Sequence, residues 1–150
     1  KEFETLKKIV EIEREGAKTL KEIAKNSKFF FVDEFSLPEV KEDMDKKERK
    51  SVEKLLNSLK DEVGLKSIKL FIEKLEKWGG NEFTAEQAKD LLHSLLDDLQ
   101  EGPGKIFMPL RAVLTGAAKG ADLYNILYVI GKERALKRIK DTIKKYNITL

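Results

Sequence analysis

The sequence predicts an all-α protein, and three observations carry that prediction. Apolar residues recur at three- and four-residue steps in segment after segment, the spacing of a helix with one buried face. No segment gives a convincing strand signal. Charged residues make up 38% of the chain, above the usual share of about a quarter, which favours long solvated helices with both signs interleaved. Hydrophobic residues, at 41%, are enough for a core, and the length suits one domain or two small ones.

Residues 3–26 read as one helix. Phe3, Leu6, Val10, Ala17, Leu20 and Ala24 form its stripe, and Ile9 and Ile23 widen it. Glu13 interrupts the stripe. Gly16 costs about 1 kcal/mol against alanine and marks a bend or a close helix contact. Asn26-Ser27 ends the helix. Phe29-Phe30-Phe31-Val32 is an apolar run that periodicity leaves open between an extended plug and a helical turn. Rings anchored in the core are preferred there to rings exposed for base stacking, because aromatic side chains bury so much area.

Ser36-Leu37-Pro38 is a turn, and a short charged helix is expected from Pro38 to about Met44. Asp45 can cap the next helix, with Glu48 in the capping-box position. That helix carries Val52, Leu55, Leu56, Leu59 and Val63 on one face, and Gly64 is expected to stop it. A helix from Leu65 to Trp78 repeats the pattern with Ile68, Phe71, Ile72 and Leu75. Gly79-Gly80 is the best boundary, giving two consecutive helical-bundle subdomains, 1–78 and 79–150.

Phe83-Thr84-Ala85-Glu86-Gln87 is the clearest helix start, a Thr-to-Gln capping box with Phe83 in the staple position. Its helix buries Ala88, Leu91, Leu92, Leu95, Leu96 and Leu99, and Gly102-Pro103-Gly104 ends it. A short helix is expected over 109–115. Pro109 suits its first turn, Leu110, Val113 and Leu114 share a face, and Arg111 lies off that face and can point outward. Gly116 can take the left-handed conformation that closes it. The loop Ala117–Ala121 leads to helices at 122–130 and 132–145.

Several functions are excluded or disfavoured. With no cysteine, there is no disulfide scaffold, thiolate zinc site or cysteine nucleophile. No apolar run approaches the roughly 20 residues that span a bilayer. The chain starts at Lys1 rather than Met and is expected to be a fragment. His93 is the only histidine, so no pair exists for a metal or a proton relay, and a helix-surface or partly buried structural role is preferred. Asp97-Asp98 are adjacent on a helix, point about 100° apart and do not converge. Neither a Walker loop nor a Gly-x-Gly-x-x-Gly motif occurs.

What remains is a surface for a polyanion. The net charge of +3 does not by itself establish an RNA partner. The distribution says more: from Leu136 onward Asp141 is the only acid, against Lys137, Arg138, Lys140, Lys144 and Lys145. Bases in RNA are read when unstacked, by arginine planes, aromatics and backbone groups. Arg111, beside a turn and a glycine-containing loop, has that chemistry. Taken alone, a solvated or salt-bridged arginine is the preferred reading.

The last third of the chain resembles the C-terminal end of bacterial glutamyl-tRNA synthetases. The resemblance rests on Gly104-Lys105, Phe107, Pro109-Leu110-Arg111, Ala112-Val113, Leu114-Thr115-Gly116 and Gly131-Lys132-Glu133-Arg134. Upstream, Arg14-Glu15-Gly16-Ala17-Lys18-Thr19-Leu20 and the following aromatic run look like the family's first anticodon-binding helix. The resemblance implies two helical subdomains of a class I aminoacyl-tRNA synthetase that hold an anticodon loop. The family's catalytic domain carries His-Ile-Gly-His and Lys-Met-Ser-Lys-Ser-type motifs, and neither is in this chain.

The resemblance also reverses the preference at Arg111, since the family's Pro-Leu-Arg arginine contacts an anticodon base. The loop residues Ala118, Lys119, Gly120 and Ala121, with Leu123, are implied to wrap the anticodon, largely through backbone groups. Lys105, Arg134, Lys137 and Arg138 are implied as weaker contacts to the tRNA backbone. Where family members often carry proline and a hydroxyl residue, this chain has Gly120-Ala121. Some members carry a further anticodon-discriminating arginine in the first subdomain, and the resemblance leaves its counterpart open between Arg14 and Arg49. The implied whole is a cytoplasmic, monomeric glutamate-tRNA ligase that uses ATP and Mg. The implied fragment is non-catalytic, without a cofactor, and binds tRNA(Glu), with tRNA(Gln) left open and neither DNA nor membrane as partner. The alternative is a helical protein–protein interaction module, using apolar stripes on helices 3–26 or 46–62. A membrane-surface helix over 132–145 is disfavoured by its weak apolar face, which has no Trp or Phe.

Overall fold

Helices, and no strand, make up the regular structure among the described residues, 2–15 and 33–150, of the computed structural model. In chain order they are α1 (Glu2–Glu15), α2 (Lys46–Ser58), α3 (Glu62–Lys77), α4 (Ala85–Leu99), α5 (Pro103–Leu114) and α6 (Leu123–Lys145). The features expected at Gly16, Asn26-Ser27 and Phe29–Val32 lie outside the described residues, as does the side chain of Arg14.

The axis of the fold is α5, which packs against α2, α3, α4 and α6. Ile106, Pro109, Leu110, Ala112, Val113 and Leu114 are all buried along it, so this helix is apolar nearly all round rather than on one face. It is also longer than expected. Pro103 opens it at the first position, where a missing N–H costs nothing, and Gly102 is the N-cap. Pro109 falls inside it, where the lost hydrogen bond normally disfavours proline.

Around this axis a single core runs from Ile68, Phe71 and Leu75 of α3 through Leu92 and Leu95 of α4 to Ile126, Leu127, Ala135 and Ile139 of α6. It includes residues on both sides of Gly79-Gly80. Trp78, beside that pair, stacks on Phe83 with ring centroids 4.6 Å apart, and its indole N–H donates to the Glu82 carbonyl at 3.2 Å. The capping box of α4 is complete: the Gln87 amide donates to Thr84 Oγ1, and the Thr84 amide donates to Gln87 Oε1, both at 3.0 Å.

Three local expectations change. The charged segment after Pro38 forms only a turn at 42–44, because it has no apolar face to bury; the Arg49 guanidinium holds it by donating to the Lys41 and Glu42 carbonyls. Gly64 does not stop α2, which ends at Ser58. It lies in the first turn of α3, whose N-cap is Asp61, and a Cβ there would fall 1.8 Å from the Ser58 carbonyl oxygen. Close approach, not helix termination, is what this glycine serves. In α1, Phe3 and Leu6 are 75% and 50% exposed rather than core. Among its described side chains, Lys8 reaches α6: its Nζ sits 4.8 Å from the Tyr128 ring centre and donates to the Tyr128 carbonyl.

α6 breaks at Gly131, as the two expected helices 122–130 and 132–145 require. The break has its own cap. The Lys132 amide donates to the Asn81 carbonyl at 2.7 Å and the Glu133 amide to Asn81 Oδ1 at 2.8 Å, so a side chain from another part of the chain satisfies the new helix start. Gly131 has φ +77°, and a Cβ there would lie 2.7 Å from the Asn81 carbonyl oxygen.

The segment 33–37 is a strap laid along the second half of α6. Asp33 accepts from Arg138 Nε at 2.8 Å and from Arg134 Nη2 at 3.0 Å. The Phe35 carbonyl and Ser36 Oγ accept from Lys145 Nζ, and the Leu37 amide donates to the Tyr146 hydroxyl. Arg138 is 1% exposed, and its Nη1 donates to the Leu114 carbonyl at 3.0 Å. Partial burial pushes the Asp33 carboxyl up, but the hydrogen bonds and charges of the two arginines outweigh it and hold the group below its ordinary value.

Two predictions follow from these contacts. Gly131→Ala should lower stability by about 2–3 kcal/mol in urea denaturation, from a strained φ plus a backbone clash. Asp33→Asn should cost about 2–3 kcal/mol at pH 7, less than a fully sealed pair because Asp33 is partly exposed. Its folded pKa is the lower one, so the stabilisation is full above the ordinary carboxyl value near 3.8 and fades as pH falls through the depressed value. The gap between the native chain and the variant should therefore close in acid; a gap independent of pH from 7 to 2 would contradict this account.

Candidate nucleic-acid interface

The end of α5 builds the site. Helix ends leave carbonyls without intrahelical partners, and here the Arg111 carbonyl collects several donors. The Thr115 and Gly116 amides donate to it at 2.8 and 3.0 Å, and Thr115 Oγ1 at 2.9 Å. Gly116 has φ +72°, the left-handed closure expected of it. The Ala117 amide then donates to Thr115 Oγ1 at 3.1 Å, which fixes how the 117–121 loop leaves the helix.

Arg111 is half-buried rather than splayed into solvent. Its Nη1 donates back to the Ala121 carbonyl at 3.1 Å, which ties the side chain to the start of the next helix. Burial pulls the guanidinium below its ordinary value and Asp122 pushes it back. An arginine stays protonated through such a shift. The result is a fixed cation at the wall of a hollow of about 180 Å³, lined also by Lys89, Leu92, His93, Phe107, Asp122, Leu123 and Tyr124.

The loop residues divide by exposure. Lys119 and Gly120 are exposed and Ala118 is half-buried, whereas Ala121 and Leu123 are buried at 8% and 4%. Ala121 takes part through its carbonyl. The backbone-contact candidates also divide. Lys105 is exposed and lies 3.7 Å from Glu101, and Lys137 is exposed and pairs with Asp141 at 3.0 Å. Arg134 pairs with Asp33. Arg138 lies in the core, held by Asp33 and Leu114, so this side chain presents nothing to a ligand. Of the basic tail, Lys145 is tied to the strap and Lys140 and Lys144 are exposed.

The sequence gives His93 a helix-surface or partly buried structural role and singles out neither Lys89 nor Tyr124. The available signal was the four-residue spacing of Lys89 and His93, which puts both on one side of α4. His93 is exposed at the hollow's edge. Lys89 Nζ lies 5.9 Å from the centre of the Tyr124 ring, a cation placed against an aromatic face. Asp97 and Asp98 do not converge; Asp98 pairs with Lys74 across to α3. Among the described residues no acid–histidine cluster could hold a metal ion, and no helix is long and apolar enough to cross a membrane.

Comparison with known proteins identifies the family. The profile of the family described as "Anticodon binding domain" matches residues 1–143. A glutamate–tRNA ligase of Fusobacterium nucleatum subsp. nucleatum is 90% identical over 148 residues, covering 99% of this chain and 29% of that protein. A glutamate–tRNA ligase 2 of Thermoanaerobacter pseudethanolicus is 31% identical, covering 95% of this chain and 26% of its own length. The crystal structure of a glutamate tRNA ligase from Elizabethkingia meningosepticum, in complex with its amino acid, superposes with a TM-score of 0.63 at 30% identity, over 91% of this chain and 24% of that one. The chain thus spans less than a third of the length of the curated relatives it matches. By this match along almost its whole length, the chain belongs to the anticodon-binding domain family, in the form found in glutamate–tRNA ligases.

Proposed function

We propose that this chain is the tRNA anticodon-binding module of a glutamate–tRNA ligase, which selects tRNA(Glu) for glutamylation by a catalytic domain outside the sequence. The observation that carries the reading is Arg111: a half-buried guanidinium fixed at the wall of a hollow that also contains Phe107 and Tyr124. A splayed-out base would lie against these planar groups, since stacking on arginine and aromatic side chains suits any base. The Ala118–Ala121 backbone and Lys119 would close over the neighbouring nucleotides, with Lys105, Lys137 and Arg134 contributing charge. ATP and Mg would serve the catalytic domain, and acceptance of tRNA(Gln) would depend on contacts beyond Arg111. The proposed module acts as a monomer in the cytoplasm. Its two subdomains, 1–78 and 79–150, share apolar contacts and would unfold together.

The test is binding of an unmodified tRNA with a pyrimidine-U-C anticodon, titrated at several salt concentrations. Arg111→Ala should weaken it by about 1–3 kcal/mol, the scale of one lost stacking contact. Lys119→Ala should weaken binding evenly across anticodon sequences and flatten the salt slope by about one. A folded Arg111→Ala chain that binds as tightly as the native one would refute the role given to that arginine.

One observation favours a second reading. Phe3 and Leu6 expose an apolar patch on α1, the kind of surface a partner helix covers. Size-exclusion chromatography separates the two: a self-associated species indifferent to tRNA supports a protein-interaction module, and a monomer that binds the transcript supports the first.

A further inference from the structure

Arg138 is sealed in the core and paired at 2.8 Å with the partly exposed Asp33, so its guanidinium does not reach an external phosphate. We infer that the two are positioning residues for anticodon recognition, acting through the end of α5 without touching RNA. The inference rests on the anticodon reading above.

Arg138 is 1% exposed. Its Nη1 donates to the Leu114 carbonyl, one of the last carbonyls of α5, which the helix itself leaves without a partner. A cation at that end also matches the helix dipole. Leu114 closes the turn that Arg111 begins, and the Arg111 carbonyl is where the Thr115 and Gly116 amides converge. The orientation of this turn therefore sets both the Arg111 side chain and the exit of the 117–121 loop. Asp33 holds Arg138 at 2.8 Å. The same strap lays Phe35 against Gly116, where a Cβ would come within 2.6 Å of the ring. So residues 33–35 reach the root of the recognition loop twice, once through Arg138 and once by direct contact. A change at Asp33 loosens the loop from a position far from it in sequence.

The test uses the 150-residue chain with Arg138→Lys, Asp33→Asn and Asp33→Glu, in native and Arg111→Ala backgrounds. Binding of the tRNA(Glu) transcript is titrated against salt, and amide exchange is followed by NMR. Arg138→Lys and Asp33→Asn should lower affinity roughly five- to tenfold, and Asp33→Glu should recover part of the loss. The slope of log affinity on log salt should stay unchanged, because no phosphate contact is lost. The Thr115, Gly116 and Ala117 amides should exchange faster while those of α4 do not. In the Arg111→Ala background the affinity loss should shrink, leaving only the part that acts through the loop. Unchanged affinity in folded variants, a slope flattened by about one, or a loss undiminished without Arg111 overturns the inference. If Arg138→Lys does not fold, Asp33→Asn, whose side chain is 28% exposed, carries the same measurements. Failure of both to fold assigns the pair to stability alone and overturns it too. If the native chain does not bind the transcript, the anticodon reading falls by itself. Amide exchange at 115–117 then still decides whether the clamp sets the loop.

Discussion

A charge held in the core is the constraint around which this protein is arranged. Arg138 sits inside the bundle at 1% exposure, and a guanidinium cannot remain there without partners. Asp33 supplies the counter-charge and the Leu114 carbonyl supplies an acceptor. These two partners come from opposite ends of the sequence, so satisfying one arginine joins the strap, the last helix and the end of α5. Burial pulls the guanidinium below its ordinary value, and Asp33 raises it again. One nitrogen, Nη2, has no hydrogen-bond partner among the described residues. An apolar side chain of similar size would satisfy packing but would remove the link that runs from the strap through Arg138 to the end of α5. Specificity of arrangement is what the ion pair contributes here.

From this joint the site follows. α5 is apolar on nearly every side because it is surrounded, and a surrounded helix has little freedom to tilt. Its last turn is closed by Gly116, Thr115 and Arg138 together. The guanidinium of Arg111 therefore starts from a backbone held on all sides by packing, and its own bond to Ala121 ties the far side of the loop. Preorganisation of this kind lowers the ordering cost when a flexible nucleic-acid loop binds. In the proposed reading the protein would bring a rigid wall, and the ordering would fall on the RNA.

Much of this was legible in the sequence, for identifiable reasons. Periodicity placed α2 to α6, because leucines at helical spacing with Thr84–Gln87 at a start leave few alternatives. The break in α6 was legible because Gly131 interrupts an otherwise continuous pattern. The length of α5 was not legible. Gly102-Pro103-Gly104 reads as a terminator, and nothing local says that Pro103 instead opens a helix that runs through Pro109. Gly64 was misread for a related reason: a glycine needed for contact with Ser58 looks the same as one that ends a helix. The candidate site was legible only in part. The family resemblance singled out Arg111 and its loop, but whether an arginine is sealed, half-buried or free depends on neighbours far away in sequence. That is why Arg138, in a run that reads as a solvated basic tail, proved to be internal, and why Lys89, His93 and Tyr124 joined the hollow unannounced.

Trp78 is the only tryptophan of the chain. Its indole is stacked on Phe83 and bonded to the Glu82 carbonyl, while its own carbonyl accepts from Lys132 Nζ at 2.9 Å. The ring thus stands at the seam where residues before Gly79 meet those after it. The molecule carries an intrinsic optical probe at that seam. Its emission would follow any slippage between the two halves, during unfolding or on engaging a partner, without a dye or an added label.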